Sequence, residues 1–242
     1  MTLDLIHTND LHDNFPQKTL DALLTPECIL FDSGDAIGGS NTVYRAKEPI
    51  LNKMNSVGYR AMAMGNREFH YLRRVLRQRQ KTAQFPMMAA NVVDLKNEVN
   101  IESVLYFTAN RLKIGVFGLT VPQFPAYSSW ERFTGWRFLE PFDIARNLAS
   151  ELREKGADFV ICLSHLGFNR DRKMALDCPG IDLILGGHSH TILTKPYKEN
   201  STVILQSGAY GRFVGRWKLD VELENDRLKS WSIDGDLIEH ND

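Results

Sequence analysis

Ile181-Asp182-Leu183-Ile184-Leu185-Gly186-Gly187-His188-Ser189-His190 is a mostly apolar run that breaks at two glycines and then presents two imidazoles. A near-continuous apolar stretch of this length reads as a β-strand covered on both faces. The glycines permit a tight turn and a close approach of backbone. Moving outward, the same event recurs. Residues 157–163 run into Ser164-His165, residues 61–64 into Gly65-Asn66, and residues 29–31 into Asp32-Ser33-Gly34-Asp35. Residues 3–8 run into Asn9-Asp10-Leu11-His12. Strand ends on one edge of an α/β sheet converge on a common crevice, so these clusters predict a single site.

Between them lie helical patterns. Residues 49–57 place Ile50, Leu51, Met54 and Val57 on one face and are closed by Gly58. A basic helix is predicted over 72–80, and another helix over 141–155, with Pro141 near its start, Asp143 in its first turn and Lys155 in its last. Further strands are predicted over 113–119, 202–206 and 214–223, and 226–242 reads as a polar finish. Helices alternate with strands first and strands dominate last. This argues an α/β fold with two packed sheets, or one large mixed sheet, covered by helices.

Composition excludes several classes. The chain has 242 residues, 43% hydrophobic and 24% charged, ordinary for a globular protein and unlike a disordered, collagen-like or coiled-coil chain. Lys plus Arg is 29 and Asp plus Glu is 30, a net charge of −1, so no basic field exists to hold nucleic acid. The longest apolar runs are strand-sized, short of the roughly 20 residues of a spanning helix, so no membrane partner is expected. The opening MTLDLIHTND has no basic or long apolar leader. Cys28, Cys162 and Cys178 are odd in number and widely spaced, which is no disulfide framework. A cytoplasmic protein is the expectation.

The strand-end clusters offer Asp10, His12, Asp35, Asn66, His165, His188 and His190. Carboxylate and amide oxygen with imidazole nitrogen, and no thiolate, suit Mn, Fe, Zn, Co or Ni. Seven ligands exceed one four-coordinate ion, whereas two ions sharing a carboxylate would use them. Such ions, roughly 3.5–4 Å apart, clamp a phosphate and activate water. If the backbone is extended, Asp10-x-His12 and His188-x-His190 each put both side chains on one side.

Taken in order, these blocks resemble the calcineurin-like metallophosphoesterases, most closely the catalytic domain of the 5′-nucleotidase and UDP-sugar hydrolase branch. The resemblance is carried by Thr8-Asn9-Asp10-Leu11-His12, Asp32-Ser33-Gly34-Asp35, Gly65-Asn66 with Glu68-Phe69, Ser164-His165-Leu166-Gly167 and Gly186-Gly187-His188-Ser189-His190. Gln206-Ser207-Gly208-Ala209-Tyr210-Gly211-Arg212 resembles the branch's last catalytic segment. The resemblance implies a four-layer α-β-β-α sandwich of two mixed sheets flanked by helices. It implies two divalent ions, one held by Asp10, His12, Asp35 and His190, the other by Asp35, Asn66, His165 and His188, with Asp35 bridging. The implied chemistry is in-line attack of metal-bound hydroxide on phosphorus, without a phosphoenzyme.

The chain departs from the family at the third block. The family writes Gly-Asn-His-Glu-Phe-Asp, and this chain reads Gly65-Asn66-Arg67-Glu68-Phe69-His70. In the family the His contacts the phosphate and can protonate the leaving oxygen while the Asp orients it. Arg67 can grip phosphate through paired N–H groups but cannot release a proton at useful pH. His70 can titrate but stands at the orienting position. Asp13 is a second departure, a third carboxylate able to tune the metals or narrow entry. The polar finish leaves no room for the C-terminal domain whose aromatics clamp the base, so one catalytic domain over 1–242 is expected, with no implied nucleotide specificity.

The resulting expectation is a dinuclear phosphoesterase acting on a small phosphate ester, with Arg67 and His70 as an altered acid–base pair. The alternative is a metal-binding but weakly active scaffold or sensor. His7 and His240 read as structural or exposed, and Asp32 as a loop or outer contact. Arg73, Arg74, Arg77, Arg79 and Lys81 read as a solvated helix face. Trp130, Phe133 and Trp136 read equally as a substrate wall or as packing beneath a loop.

Overall fold

A computed structural model describes residues 1–240. One six-stranded sheet contains β1 (Thr2–Thr8), β2 (Ile29–Asp32), β3 (Ala61–Ala63) and β4 (Met87–Met88), joined later in the chain by β13 (Phe213–Glu224) and β14 (Arg227–Glu239). A small ribbon pairs β5 (Val92–Asp94) with β8 (Trp136–Phe138). The second six-stranded sheet contains β6 (Val104–Ala109), β7 (Leu112–Thr120), β9 (Phe159–His165), β10 (Leu183–Gly186), β11 (Tyr197–Glu199) and β12 (Thr202–Leu205). The helices are α1 (Gln17–Leu23), α2 (Pro49–Val57), α3 (Arg73–Thr82), α4 (Ser129–Thr134), α5 (Pro141–Glu154) and α6 (Phe168–Asp177).

The first sheet runs β14-β13-β1-β2-β3-β4, the second β11-β12-β10-β9-β7-β6. Strands β1 to β4 are parallel, as are β12, β10, β9 and β7, while the remaining strands add on antiparallel. Both sheets are therefore mixed. Three apolar clusters separate four layers. Leu5, Phe31 and Ala63 of the first sheet meet Ile114, Ile161, Leu163 and Leu185 of the second. Ile6, Leu30 and Met62 pack outward against Leu20, Leu51, Met54 and Leu76 of the first three helices. Phe117, Val160 and Cys162 pack outward against Ala145, Ala149, Leu152 and Met174 of α5 and α6. Each fully buried Leu, Ile or Phe contributes about 1.5–3 kcal/mol of apolar transfer, so the layering follows from strands with two greasy faces. This is the expected α-β-β-α arrangement.

Some local expectations need correction. Within the polar finish over 226–242, residues 227–239 form the long edge strand β14, paired with β13; residues 241–242 lie outside the described residues. Only one face of an edge strand packs, so Trp231, Ile233 and Leu237 alternate with polar residues that cover the outer face. A bulge at Glu222/Leu223 shifts the register and obscures that alternation. The basic helix is not solvated throughout: Val75, Leu76 and Arg79 form its buried face, and Arg73 is paired with Asp94. Trp136 is core, while Trp130 and Phe133 are exposed. Among the described residues, no helix is long and apolar enough to cross a membrane.

Candidate metal centre

The site forms where parallel strands of both sheets end. Asp10 and His12 follow β1, Asp35 follows β2, Asn66 follows β3, His165 ends β9, and His188 and His190 follow β10. The loops approach so closely that a Cβ on Gly34 would stand 2.6 Å from the Gly65 nitrogen, and one on Gly65 would stand 2.2 Å from Asp35 Oδ1. The expected extended backbone does not occur at the paired ligands. Asp10, His12, Asp35, His188 and His190 all have left-handed φ, between 48° and 72°. Positive φ is uncommon for non-glycine residues, though Asp and His adopt it more readily than most, and five such residues gathered at one set of strand ends is a concentration of the kind found at functional sites. The left-handed turns aim His188 at His165, with ring centroids 5.0 Å apart, and His190 at His12, with centroids 5.2 Å apart.

Two groups of ligating atoms result. Asp10, His12 and His190 form one and Asp10, Asp35 and His165 the other, with the atoms of each within 4.8 Å of one another. Asp10 is thus the carboxylate common to both groups, where the resemblance puts Asp35. Asp10 Oδ1 lies 3.3 Å from His190 Nε2 and 3.9 Å from His12 Nε2. His165 Nε2 lies 3.5 Å from Asp35 Oδ1. The Asn66 side-chain oxygen, Asp10 Oδ1 and His165 Nε2 are buried without a hydrogen-bond partner. Buried polar atoms are rarely left so. Two carboxylates among ring nitrogens are the donor set for a hard or borderline cation, and the residues fit one.

The protonation pattern agrees. His165 Nδ1–H donates to the Ser33 carbonyl at 2.7 Å, which turns Nε2 to the carboxylates, where it can carry a second proton or, without it, offer a lone pair to a cation. Burial alone would discharge this imidazole, but Asp35 and Asp10 pull its pKa up to about 10. A proton there answers the same buried negative charge that a cation would. Burial pushes Asp35 up, yet His165, the Arg67 amide and His12 together hold it below the usual carboxylate value. His12 and His188 fall below the ordinary histidine value, chiefly through burial.

An outer ring of buried groups holds these side chains. Asn9 donates to Asp10 Oδ2 and to the Gly208 carbonyl, both at 2.7 Å, and accepts from the Ser207 amide at 2.8 Å. The His188 amide donates to the same Asp10 oxygen at 2.9 Å, leaving Oδ1 to the site. Glu68 accepts from the amides of Asp35, Gly65 and Ile37. Neither Asn9 nor Glu68 was assigned a role from sequence, although both sit inside the quoted blocks; the only signal was a polar residue at a strand end beside a ligand. Asp32 accepts from Gly34 N at 2.8 Å and Thr8 Oγ1 at 2.6 Å, a loop-holding role as expected. His7 is buried between Ser33 and Ser207.

The residues that depart from the family lie around this centre. The Arg67 side chain is 35% exposed; its Nε stands 3.8 Å from Asp35 Oδ2, and its backbone amide donates to Asp35 Oδ1 at 2.7 Å. His70 is only 3% exposed. Its Nδ1 accepts the Leu72 amide at 3.0 Å, so the neutral ring carries its proton on Nε2, and burial with Arg79 and Arg74 nearby lowers its pKa to about 4. Asp13 is tied to the Gly38 amide and to Arg45, and so anchors a loop. Tyr210, unassigned from sequence, packs its ring 5.0 Å from His12 and 5.5 Å from His190.

Known proteins resemble the chain along nearly its whole length. A 5′-nucleotidase of Vibrio vulnificus is 30% identical over 96% of this chain and 51% of its own length. Protein UshA of Escherichia coli is 29% identical over 94% of this chain and 50% of its own length. The chain thus spans about half the length of these relatives. Among solved structures, the 5′-nucleotidase precursor of Thermus thermophilus superposes with a TM-score of 0.79 at 25% identity, covering 99% of this chain and 55% of that one. The calcineurin-like phosphoesterase YfkN of Bacillus subtilis has the same fold, with a TM-score of 0.76 at 21% identity over 97% of this chain and 90% of that one. The profile of the calcineurin-like phosphoesterases matches residues 3–191, a span that contains every candidate ligand from Asp10 to His190, and the chain belongs to that family.

Proposed function

We propose that this chain hydrolyses a small phosphate ester at a centre of two divalent ions. Asp10, His12, Asp35 and His190 would hold one ion, and Asp35, Asn66, His165 and His188 the other. The observation that supports a metal-dependent centre is the pair of convergent ligand groups with orphaned, buried donor atoms at the strand ends; these groups share Asp10, and the bridging place given to Asp35 follows the family resemblance. Bound there, the ions would supply Lewis acidity, offsetting charge on a phosphoryl group and activating water. Nucleotide monoesters are the substrate class suggested by the 5′-nucleotidase relatives.

Arg67 takes the phosphate-gripping role. Apart from a long 3.5 Å contact with the Gly38 carbonyl and the distant Asp35, its guanidinium N–H groups have no partner among the described residues, and the group lies beside the Asp35 carboxylate. Arg–phosphate contacts are charge-assisted and commonly paired. His70 acts as a neutral support of the turn that follows. Its enclosed ring reaches no substrate in this conformation, and with a pKa near 4 it is not a proton donor at neutral pH. The leaving oxygen then departs with little protein-supplied protonation. A reducing, cytoplasmic setting is part of the proposal, supported by three free cysteines, and cell fractionation tests it.

The deciding experiment is turnover of an activated aryl phosphate by Mn-loaded protein. Turnover that Asp35→Ala abolishes supports the phosphoesterase. Two bound equivalents of Mn with no turnover would instead support the metal-binding scaffold, a reading favoured by the missing imidazole at position 67.

A further inference from the structure

Arg79 is a charged side chain with only 2% exposure, on the inner face of α3. A cation so placed needs acceptors on every side, and its neighbours come from two loops of the site. Its Nη1 donates to the carbonyls of Arg67 at 2.8 Å, Glu68 at 3.1 Å and Phe69 at 3.4 Å, all in the loop after β3. The same nitrogen reaches the Ser40 carbonyl at 3.2 Å, and Nη2 reaches the Val43 carbonyl at 3.4 Å, both in the loop after β2. Glu48 supplies the counter-charge, 3.6 Å from Nη2. Burial holds the Glu48 carboxyl above its usual pKa, and Arg79 is the largest of the opposing influences, ahead of Arg45 and the Gly39 amide.

The position of Arg67 gives this staple a consequence. Arg67 hangs from the first of these loops, and its Nη1 touches the Gly38 carbonyl of the second. Arg79 Nη1 meets carbonyls of both loops while Nη2 keeps the Val43 carbonyl and Glu48; a lysine has one nitrogen with three donors and cannot hold all of these acceptors and the counter-charge together. We propose that Arg79 is a positioning residue for phosphate binding: it staples the loops after β2 and β3 together and so sets the placement of the Arg67 guanidinium. This rests on the role given to Arg67 above, and the test separates the two.

The test compares wild type, Arg79→Lys, Arg79→Met, Arg67→Ala and the Arg67→Ala/Arg79→Lys double variant, all Mn-loaded. Inorganic phosphate affinity is read by calorimetry, metal content by elemental analysis, and loop order by hydrogen exchange. Arg79→Lys should weaken phosphate binding about tenfold, the lower end of what a charge-assisted hydrogen bond contributes, with metal content retained. In the Arg67→Ala background the same change should weaken binding less than about twofold, because coupled residues are not additive. Exchange should speed up in peptides covering 38–45 and 65–71 and not in β9 or β10. Equal losses in both Arg67 backgrounds, or full phosphate affinity in Arg79→Lys and Arg79→Met, would overturn the proposal. If wild type binds no phosphate, the function assigned to Arg67 fails; exchange then decides the staple, and unchanged protection of both loops in Arg79→Lys overturns it.

Discussion

Replacing Glu68 by Gln isolates the device that joins the second and third ligand-bearing loops. The Glu68 carboxylate is fully buried. Its Oε2 accepts the amides of Asp35 at 2.7 Å and Gly65 at 2.9 Å, and its Oε1 accepts the amide of Ile37 at 3.1 Å. Gln keeps the shape but only one acceptor. With its oxygen on the Asp35 and Gly65 side, its NH2 meets the Ile37 N–H, donor against donor, in a buried setting. A hydrogen bond to a charged acceptor contributes about 1.5–3 kcal/mol, and an unsatisfied buried group costs about 1–3 kcal/mol. The partial loss of charge on the two retained bonds adds to this, while relaxation subtracts, so a destabilisation of about 2–4 kcal/mol is expected. Against a typical stability of about 5–15 kcal/mol, the variant should still fold. Urea unfolding of metal-free wild type and variant, compared through midpoint and slope, measures the stability change. Elemental analysis measures Mn retention, which should fall because the Asp35 backbone loses its anchor. A change below about 0.5 kcal/mol, the scatter of ordinary surface substitutions, together with unaltered Mn content would refute the reasoning.

Three further outcomes are expected. Asp35→Ala should lower metal content at both sites; two retained equivalents would contradict its bridging place and leave Asp10, common to both ligand groups, as the bridge. Because His70 has its folded pKa lowered to about 4, the unfolded chain binds a proton that the folded chain refuses between pH 6.5 and 4, so stability is lost as pH falls through that window. His70→Asn keeps an acceptor for the Leu72 amide and should flatten the acid limb of a melting-temperature profile; identical limbs would show that His70 does not titrate there. Finally, rates should depend steeply on leaving-group pKa, and Arg67→His with His70→Asp should recover poor leaving groups by up to ~10²–10⁴-fold, the usual range of general acid catalysis. Equal slopes for both proteins in a leaving-group series would show that another group already supplies the proton.

The chain by itself determined the class of fold and placed the candidate ligands at strand ends. Apolar runs such as Phe159–His165 are covered on both faces, and that requirement is written in local composition. Each ligand follows such a run, so its place at a strand end was legible without long-range information. Polar edge elements were not legible. Strand β14 packs one face only, and its alternation is broken by a bulge upstream, while α6 hides Asp171, Met174 and Ala175 within a charged run. What the tertiary structure decided was how the ligands converge. The candidate ligands Asp10, His12, Asp35, His188 and His190 sit in left-handed conformations that Asp and His tolerate better than most residues, and the closely approaching loops select them there. It also decided the roles of residues whose partners are distant in sequence. Arg79 reads as one more solvated cation until the loops after β2 and β3 are seen to offer it their carbonyls. His70 reads as a titratable replacement until its ring is found enclosed and holding the Leu72 amide. Burial and hydrogen-bond partnership are properties of the folded chain, and they set charge, tautomer and reach more strongly than residue type does.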